Sequence, residues 1–173
     1  LDLERAEIGL KKKMSKLSTG LTTMVKVILA INSGASFIML DEPTLGLDAV
    51  SRDYLYQRII EEYGKGGQTF VLSTHLIEEV APLIEEVVFI DHGKLLATGN
   101  VEDLLEGYVQ VSGAEAEMNS ALANKEVVSR RKIGGLHTAV IKGQANEFQN
   151  GSLTVTPVEL QELFIAMTGN IRE

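Results

Sequence analysis

The amino-acid sequence predicts an α/β fold with a largely parallel sheet, followed by a small α+β domain. Three apolar runs of strand length, at residues 37–40, 69–72 and 87–90, alternate with segments whose apolar residues have helical spacing. This alternation favours right-handed crossover connections between parallel strands. The 173 residues, 45% of them apolar, can supply a sizeable core.

Each element of the first part follows from local pattern. Residues 18–34 are predicted as a mostly buried helix that stops near Asn32, Ser33 and Gly34. After the strand at 37–40, Ala49 to Tyr63 is amphipathic and should form a helix that packs on the sheet. The strand at 69–72 comes next.

A second group of elements completes the first part. Leu76 to Glu86 is predicted as a helix and Val87 to Ile90 as a third buried strand. The turn at 91–94 then leads into Leu95 to Thr98, which should close an antiparallel hairpin.

The charge balance changes beyond Gly107. Residues 1–107 contain ten basic and seventeen acidic residues, whereas residues 108–173 contain six and seven. This shift predicts two domains, 1–107 and 108–173. The tail pattern predicts a helix, several strands and a closing helix, with these bounds: strand 108–112, helix 114–124, strands 127–130 and 138–141 about the Gly134-Gly135 turn, and a helix from Pro157 to Thr168 stopped by Gly169.

Two adjacent carboxylates, Asp41 and Glu42, directly follow the first apolar strand. The carboxyl ends of strands are where open α/β sheets bind ligands. Acids in this place suit a division of labour in which Asp41 helps to hold a hydrated Mg²⁺ and Glu42 polarises an attacking water. The pattern therefore indicates nucleotide hydrolysis.

Two further motifs lie at ordered spacing around this pair. Leu17-Ser18-Thr19-Gly20-Leu21 precedes it at the start of the predicted helix, and Ser73-Thr74-His75 follows the second apolar strand. With Walker B at Phe37 to Glu42 and a D-loop at Leu47-Asp48, residues 10–106 resemble the second half of the ATP-binding subunit of an ABC transporter of the bacterial exporter type. The resemblance implies a partial P-loop NTPase core.

The resemblance also implies roles for single residues. Ser18, Thr19 and Gly20 stand in the signature motif, which closes over the γ-phosphate of ATP held by a second subunit. The start of the following helix would present its positive dipole end to that phosphate. His75 stands where the family has its switch histidine, which senses the γ-phosphate or the attacking water. Asp48 would link the two subunits across their interface.

The sequence departs from the family pattern at two places. Thr19 and Leu21 replace a glycine and a glutamine of the usual signature. No Gly-x-x-x-x-Gly-Lys-Ser/Thr loop occurs, and Gly64 to Thr69 lacks its spacing. Since the chain also begins at Leu1, we expect a truncated piece of a longer protein that is inactive alone. Residues 1–16, which carry Lys11 to Lys13 and Lys16, would be the end of the helical subdomain that the family places there.

Composition limits the function classes. The chain has no cysteine, so neither disulfides nor thiolate zinc sites are available. No apolar run approaches bilayer length, and the net charge of −8 disfavours nucleic acid as a partner. The resemblance implies ATP and Mg²⁺ as cofactors, a transmembrane permease and a second ATP-binding subunit as partners, and a cytoplasmic location at the membrane face.

Two alternatives remain open. The tail domain could be a regulatory or partner-binding module carried on a residual ATPase half. A soluble ABC-type ATPase acting on DNA or ribosomes is a third hypothesis, against which the acidic charge counts. For the chain itself we expect uncovered apolar sheet surface and self-association.

Overall fold

The computed structural model describes residues 13–148 and 152–169. The chain forms two compact units, residues 1–76 and 77–173. The predicted α/β fold is confirmed. The second unit contains the whole predicted tail domain together with residues 77–107, so the domain boundary after residue 107 stays a prediction.

Among its described residues, the first unit contains two α-helices and a pair of parallel strands. The helices are α1 (Thr19–Ile31) and α2 (Ala49–Gly64), and the strands are β1 (Phe37–Asp41) and β2 (Thr69–Ser73). The strands are parallel, with Asp41 opposite Ser73. Their carboxyl ends therefore meet at one edge, as the sequence predicts.

Helix α1 forms because its ends are capped and one side is apolar. The Ser18 hydroxyl accepts a hydrogen bond from the Leu21 N–H, and the Asn32 side chain donates to the Ile28 carbonyl at the other end. Its buried side chains recur at helical spacing: Met24, Val25, Val27, Ile28 and Ile31. The predicted stop near Asn32 is confirmed.

The two faces of β1 differ in exposure. Ile38 and Leu40 are buried, whereas Phe37 and Met39 are 57% and 67% exposed. Because side chains alternate along a strand, the exposed pair lies on the face opposite the buried one. The expected uncovered apolar surface is present, and self-association stays a prediction.

The second unit contains six strands and four helices among its described residues. The strands are β3 (Glu86–Asp91), β4 (Lys94–Asn100), β5 (Tyr108–Gly113), β6 (Glu126–Ile133), β7 (Leu136–Lys142) and β8 (Thr154–Pro157). The helices are α3 (Ile77–Val80), α4 (Val101–Glu106), α5 (Glu115–Leu122) and α6 (Leu160–Gly169). Strands β3 and β4 form the predicted antiparallel hairpin. The other four make an antiparallel sheet in the order β6-β7-β5-β8.

Strand β7 serves two separate hydrophobic cores. Ala139 and Ile141 pack in a core with Met118 and Leu122 of α5. Val140, between them, belongs to a core that includes three residues of α6, namely Leu160, Leu163 and Ala166. The sheet is therefore covered on both faces, by α5 on one and by α6 on the other.

Three predicted elements differ from the structure. The helix predicted for Leu76 to Glu86 is only the four-residue α3, followed by a 3₁₀ turn at Ala81–Leu83. Pro82 explains this, because it lacks an N–H and disfavours helical backbone at the preceding residue. Pro157 ends edge strand β8 rather than starting a helix, since its missing N–H is tolerated at a sheet edge.

The third difference is the predicted burial of residues 87–90. Phe89 is buried, but Val88 and Ile90 are 58% and 62% exposed.

The segment predicted for residues 1–16 lies largely outside the described residues. In its described part, Met14–Lys16 form a 3₁₀ turn. Within the described parts of the chain, no helix combines the length and apolarity needed to span a bilayer.

Candidate functional site

Glu42 occupies a sharp backbone turn directly after β1. Its φ angle of 45° lies in the left-handed region, which is unusual for a residue with a side chain. Its N–H donates to the carbonyl of Ser73 at the end of β2, over 2.8 Å. The turn therefore extends the pairing of the two strands by one hydrogen bond and then directs the chain away from the sheet.

The Glu42 carboxylate contacts two side chains that follow β2. Its Oε1 atom lies 2.7 Å from Nδ1 of His75, and its Oε2 atom accepts a hydrogen bond from the Thr74 hydroxyl over 3.3 Å. The Leu76 N–H donates in turn to Thr74 Oγ1. The two strand ends are thus joined by side chains as well as by backbone.

The two side chains in this contact differ in their exposure to solvent. The His75 side chain is 67% exposed and that of Glu42 is 30% exposed. Both polar groups are thus accessible to a ligand or a water molecule while their positions are fixed by hydrogen bonds. A carboxylate and an imidazole in this arrangement can orient and polarise a water molecule.

Asp41 is the last residue of β1 and is exposed. One carboxylate beside a phosphate site suits Mg²⁺, which usually takes one or two protein carboxylates together with water and substrate phosphates. Among residues 13–148 and 152–169, no group of three or more His, Cys, Asp or Glu side chains could hold a metal ion by itself. The role of Asp41 as a ligand of Mg²⁺ through water stays a prediction.

The turn that follows Glu42 is anchored on α2. Pro43 and Thr44 are buried, and the Thr44 hydroxyl lies 3.4 Å from the Tyr56 hydroxyl. The Leu45 N–H donates to the Glu42 carbonyl, and the Leu47 N–H donates to the Thr44 carbonyl, each over 3.1 Å. We call residues 42–48 the acidic turn. Two backbone hydrogen bonds hold its conformation, and Thr44 anchors it on α2.

Asp48 ends the acidic turn and caps α2. Its Oδ1 atom accepts from the Ser51 N–H over 2.9 Å, and its Oδ2 atom accepts from the Ser51 hydroxyl over 3.0 Å. The Ser51 N–H and hydroxyl together hold the pKa of the exposed Asp48 carboxyl below its ordinary value. The structure thus gives Asp48 a capping role within the chain, and its predicted place at a subunit interface stays a proposal.

The predicted signature residues start α1. Ser18 is the N-cap and is exposed, Thr19 is exposed in the first turn, and Gly20 is buried. The free N–H groups and the positive dipole end of a helix start favour an anion. Gly20 also lies against the acidic turn, close to Gly46.

Sequence reasoning missed three contributors to this region. Thr74 bonds Glu42, Tyr56 contacts Thr44, and Gly46 receives Gly20. The position of Thr74 between a strand end and His75 was an available signal. Nothing in the sequence pattern pairs Tyr56 with Thr44, because their contact depends on how α2 packs, nor Gly20 with Gly46, because that contact depends on how α1 packs.

Comparison with known proteins finds relatives of one kind. The chain is 27% identical over 178 residues to the ABC transporter ATP-binding protein YtrB of Bacillus subtilis (strain 168), covering 98% of this chain and 61% of that protein. It is 25% identical over 185 residues to Nod factor export ATP-binding protein I of Rhizobium johnstonii, covering all of this chain and 59% of the relative. No protein-family model matches.

A solved structure agrees with these relatives. The ATP-binding subunit of an ABC transporter matches with a TM-score of 0.54 and 28% identity, over 59% of this chain and 43% of that one. The chain spans about three fifths of the length of the curated relatives it matches. Sequence and fold thus agree in what the chain is similar to: ABC transporter ATP-binding proteins.

Proposed function

We propose that this chain supplies the hydrolytic edge and the signature helix of an ATP-hydrolysing ABC transporter subunit. The observation that carries the proposal is the contact between Glu42 and His75, 2.7 Å apart at the carboxyl ends of two parallel strands. Open α/β sheets bind ligands at this edge, and a residue placed there can orient the water that attacks a nucleotide phosphate. The relatives named ABC transporter ATP-binding protein and Nod factor export ATP-binding protein support the same function.

Glu42 is the proposed base that polarises the attacking water. The hydrogen bond from Thr74 and the contact with His75 fix its two oxygens, so the carboxylate is held before a substrate arrives. His75, two-thirds exposed, can then donate to a γ-phosphate oxygen or to the same water. A bound Mg²⁺ would supply charge neutralisation of the phosphates, with Asp41 as a ligand through water.

Ser18, Thr19 and Gly20 are proposed to contact the γ-phosphate held by a second ATP-binding subunit. The exposed start of α1 offers a hydroxyl and backbone N–H groups with the helix dipole behind them. Asp48 is proposed to lie at the same subunit interface. A transmembrane permease is the proposed partner, export the proposed direction, and the cytoplasmic membrane face the proposed location.

The 173-residue chain by itself should not hydrolyse ATP. Its sequence contains no Gly-x-x-x-x-Gly-Lys-Ser/Thr loop, which in P-loop enzymes cradles the phosphates and supplies the lysine and the hydroxyl ligand of Mg²⁺. We therefore propose that activity requires a phosphate loop supplied outside these residues.

The test compares ATP hydrolysis by the gene product that contains this chain with that of two variants. Glu42→Gln should lower the rate by about 100-fold or more, since a positioned base contributes rate factors of that order. Glu106→Gln, which changes an exposed glutamate at the end of α4, is the matched control and should leave the rate unchanged. Equal rates in Glu42→Gln and the parent protein would refute the role of Glu42.

A further inference from the structure

Gly20 has no room for any side chain. A Cβ atom built on it would lie 2.3 Å from the carbonyl oxygen of Gly46 and 3.1 Å from its carbonyl carbon. Both atoms belong to backbone, so no side-chain rotation could relieve the overlap. The first turn of α1 therefore rests directly on the main chain of the acidic turn.

The receiving position is itself defined by the backbone. Gly46 has a φ angle of 78°, which favours glycine, and the methyl group of Thr19 lies 3.7 Å from where its Cβ would be. Gly46 sits between Leu45 and Leu47, whose N–H groups close the acidic turn on Glu42 and Thr44. A displacement at Gly46 is thus transmitted to the hydrogen bonds that hold the Glu42 backbone.

We infer that Gly20 is a positioning residue whose missing side chain seats α1 on the acidic turn and so fixes the separation between the start of α1 and the Glu42–His75 pair. This inference rests on the proposed function for its catalytic meaning, because the two ends it joins are the proposed phosphate contact and the proposed base. This positioning effect acts through Gly46 and is separate from the proposed contact of Gly20 with the γ-phosphate.

The contact with Gly46 gives Gly20 a structural role in addition to the role expected from its place in the motif. A glycine at the start of α1 would be expected to serve close approach of a phosphate. Here the Cα side of Gly20 faces protein backbone, so alanine at this position alters the acidic turn even in the absence of nucleotide. The effect can therefore be measured on the isolated chain.

Amide hydrogen exchange of the 173-residue chain tests the inference. In Gly20→Ala the Leu45 and Leu47 amides should exchange about 10-fold faster, because the turn that protects them is displaced. Gly64→Ala is the matched control: Gly64 ends α2, and apart from its chain neighbours and the nearby backbone of its own helix no heavy atom lies within 4 Å of its Cβ position. The Leu55 amide, in the middle of α2, reports any general loss of stability.

A reciprocal pair keeps the inference testable if Gly20→Ala does not fold. Gly46→Ala should speed exchange at Leu21 and Thr22, whose N–H groups bond to Ser18. Gly34→Ala has nearly the same φ angle, 77°, but open space around its Cβ position, so it shows the cost of backbone strain alone. Acceleration of the Leu21 and Thr22 amides only in Gly46→Ala supports the coupling.

Unchanged exchange at Leu45 and Leu47 in Gly20→Ala, or an increase equal to that at Leu55, would overturn the inference. So would equal effects of Gly46→Ala and Gly34→Ala on α1. These outcomes do not depend on ATP hydrolysis. Failure of the proposed function would instead appear as equal rates of ATP hydrolysis in Glu42→Gln and the parent protein, whatever the exchange results.

Discussion

The Nδ1 atom of His75 lies 2.7 Å from Oε1 of Glu42, although the two residues are 33 positions apart in sequence. Parallel pairing makes this possible, since Asp41 faces Ser73 and each strand then contributes the residues that follow it. The left-handed backbone at Glu42 directs its carboxylate towards the second strand end. Geometry at this site therefore depends on one strained residue.

That strain gives a first prediction. Because Glu42 has a φ angle of 45°, glycine should be preferred there over alanine, and Glu42→Gly should be about 1 kcal/mol more stable than Glu42→Ala. Both variants lose the contacts with His75 and Thr74 equally. Urea denaturation of the two variants measures the difference, and a more stable alanine variant would contradict the left-handed conformation.

Ser18 should have two separable roles. Ser18→Ala removes the cap of α1 and should lower the free energy of unfolding by about 1 kcal/mol. Ser18→Asp keeps a good cap but places a negative charge at the proposed phosphate contact. We expect the aspartate variant of the active protein to retain its thermal stability while its ATP hydrolysis falls about 10-fold or more. Parallel losses of stability and activity in both variants would argue against the phosphate contact.

The Asp48 cap should make stability depend on acid pH. Since the pKa of this carboxyl is lower in the folded chain than its ordinary value of 3.8, its ionised form stabilises the fold. That contribution is complete above the ordinary value and is lost as the pH falls through the lower, folded value. Asp48→Asn should therefore be less stable than the parent at pH 7, and the difference should disappear towards pH 2, as followed by denaturant titration. A difference that is constant with pH would contradict the ionised cap.

Thr44 and Tyr56 should be coupled. Their hydroxyl oxygens are 3.4 Å apart in a buried position, a long contact whose net value should be about 0.5 kcal/mol. A double-mutant cycle with Thr44→Val and Tyr56→Phe measures this coupling directly. Additive effects of the two substitutions would show that the acidic turn is held on α2 by packing alone.

Leu163 should be a major contributor to the second unit. It is fully buried on α6, whereas Ile165 on the same helix is 38% exposed. Leu163→Ala should cost about 3 kcal/mol through lost burial and the cavity that remains. Ile165→Ala is the matched control and should cost less than 1 kcal/mol. Similar losses in the two variants would contradict the burial assigned to α6.

Much of the fold is readable from sequence where one pattern dominates. The strands at 37–40 and 69–72 and the helix from Ala49 were predicted to within a residue or two, because apolar runs and amphipathic spacing coincide with clear turn residues. The segment around Pro82 was misread because apolar spacing outweighed the proline. Strand β8 was missed because a four-residue edge strand has too little pattern to detect.

The candidate site shows the same division. Asp41, Glu42 and His75 could be placed at one sheet edge by strand order alone, and the structure brings Glu42 and His75 into contact. The contact of Gly20 with Gly46 could not be predicted, because it depends on the exact height at which α1 meets the acidic turn. The order of the motifs is thus enough to predict which side chains share the sheet edge, whereas the backbone contact between Gly20 and Gly46 is visible only in the three-dimensional structure.

The arrangement of β7 has a consequence for how the second unit unfolds. Its consecutive residues 139, 140 and 141 alternate between the two cores, so neither core can lose its order without disturbing the strand that supports the other. Helices α5 and α6 are therefore expected to melt in a single cooperative transition rather than one after the other. A destabilising substitution on either face of β7 should therefore lower the stability of both cores.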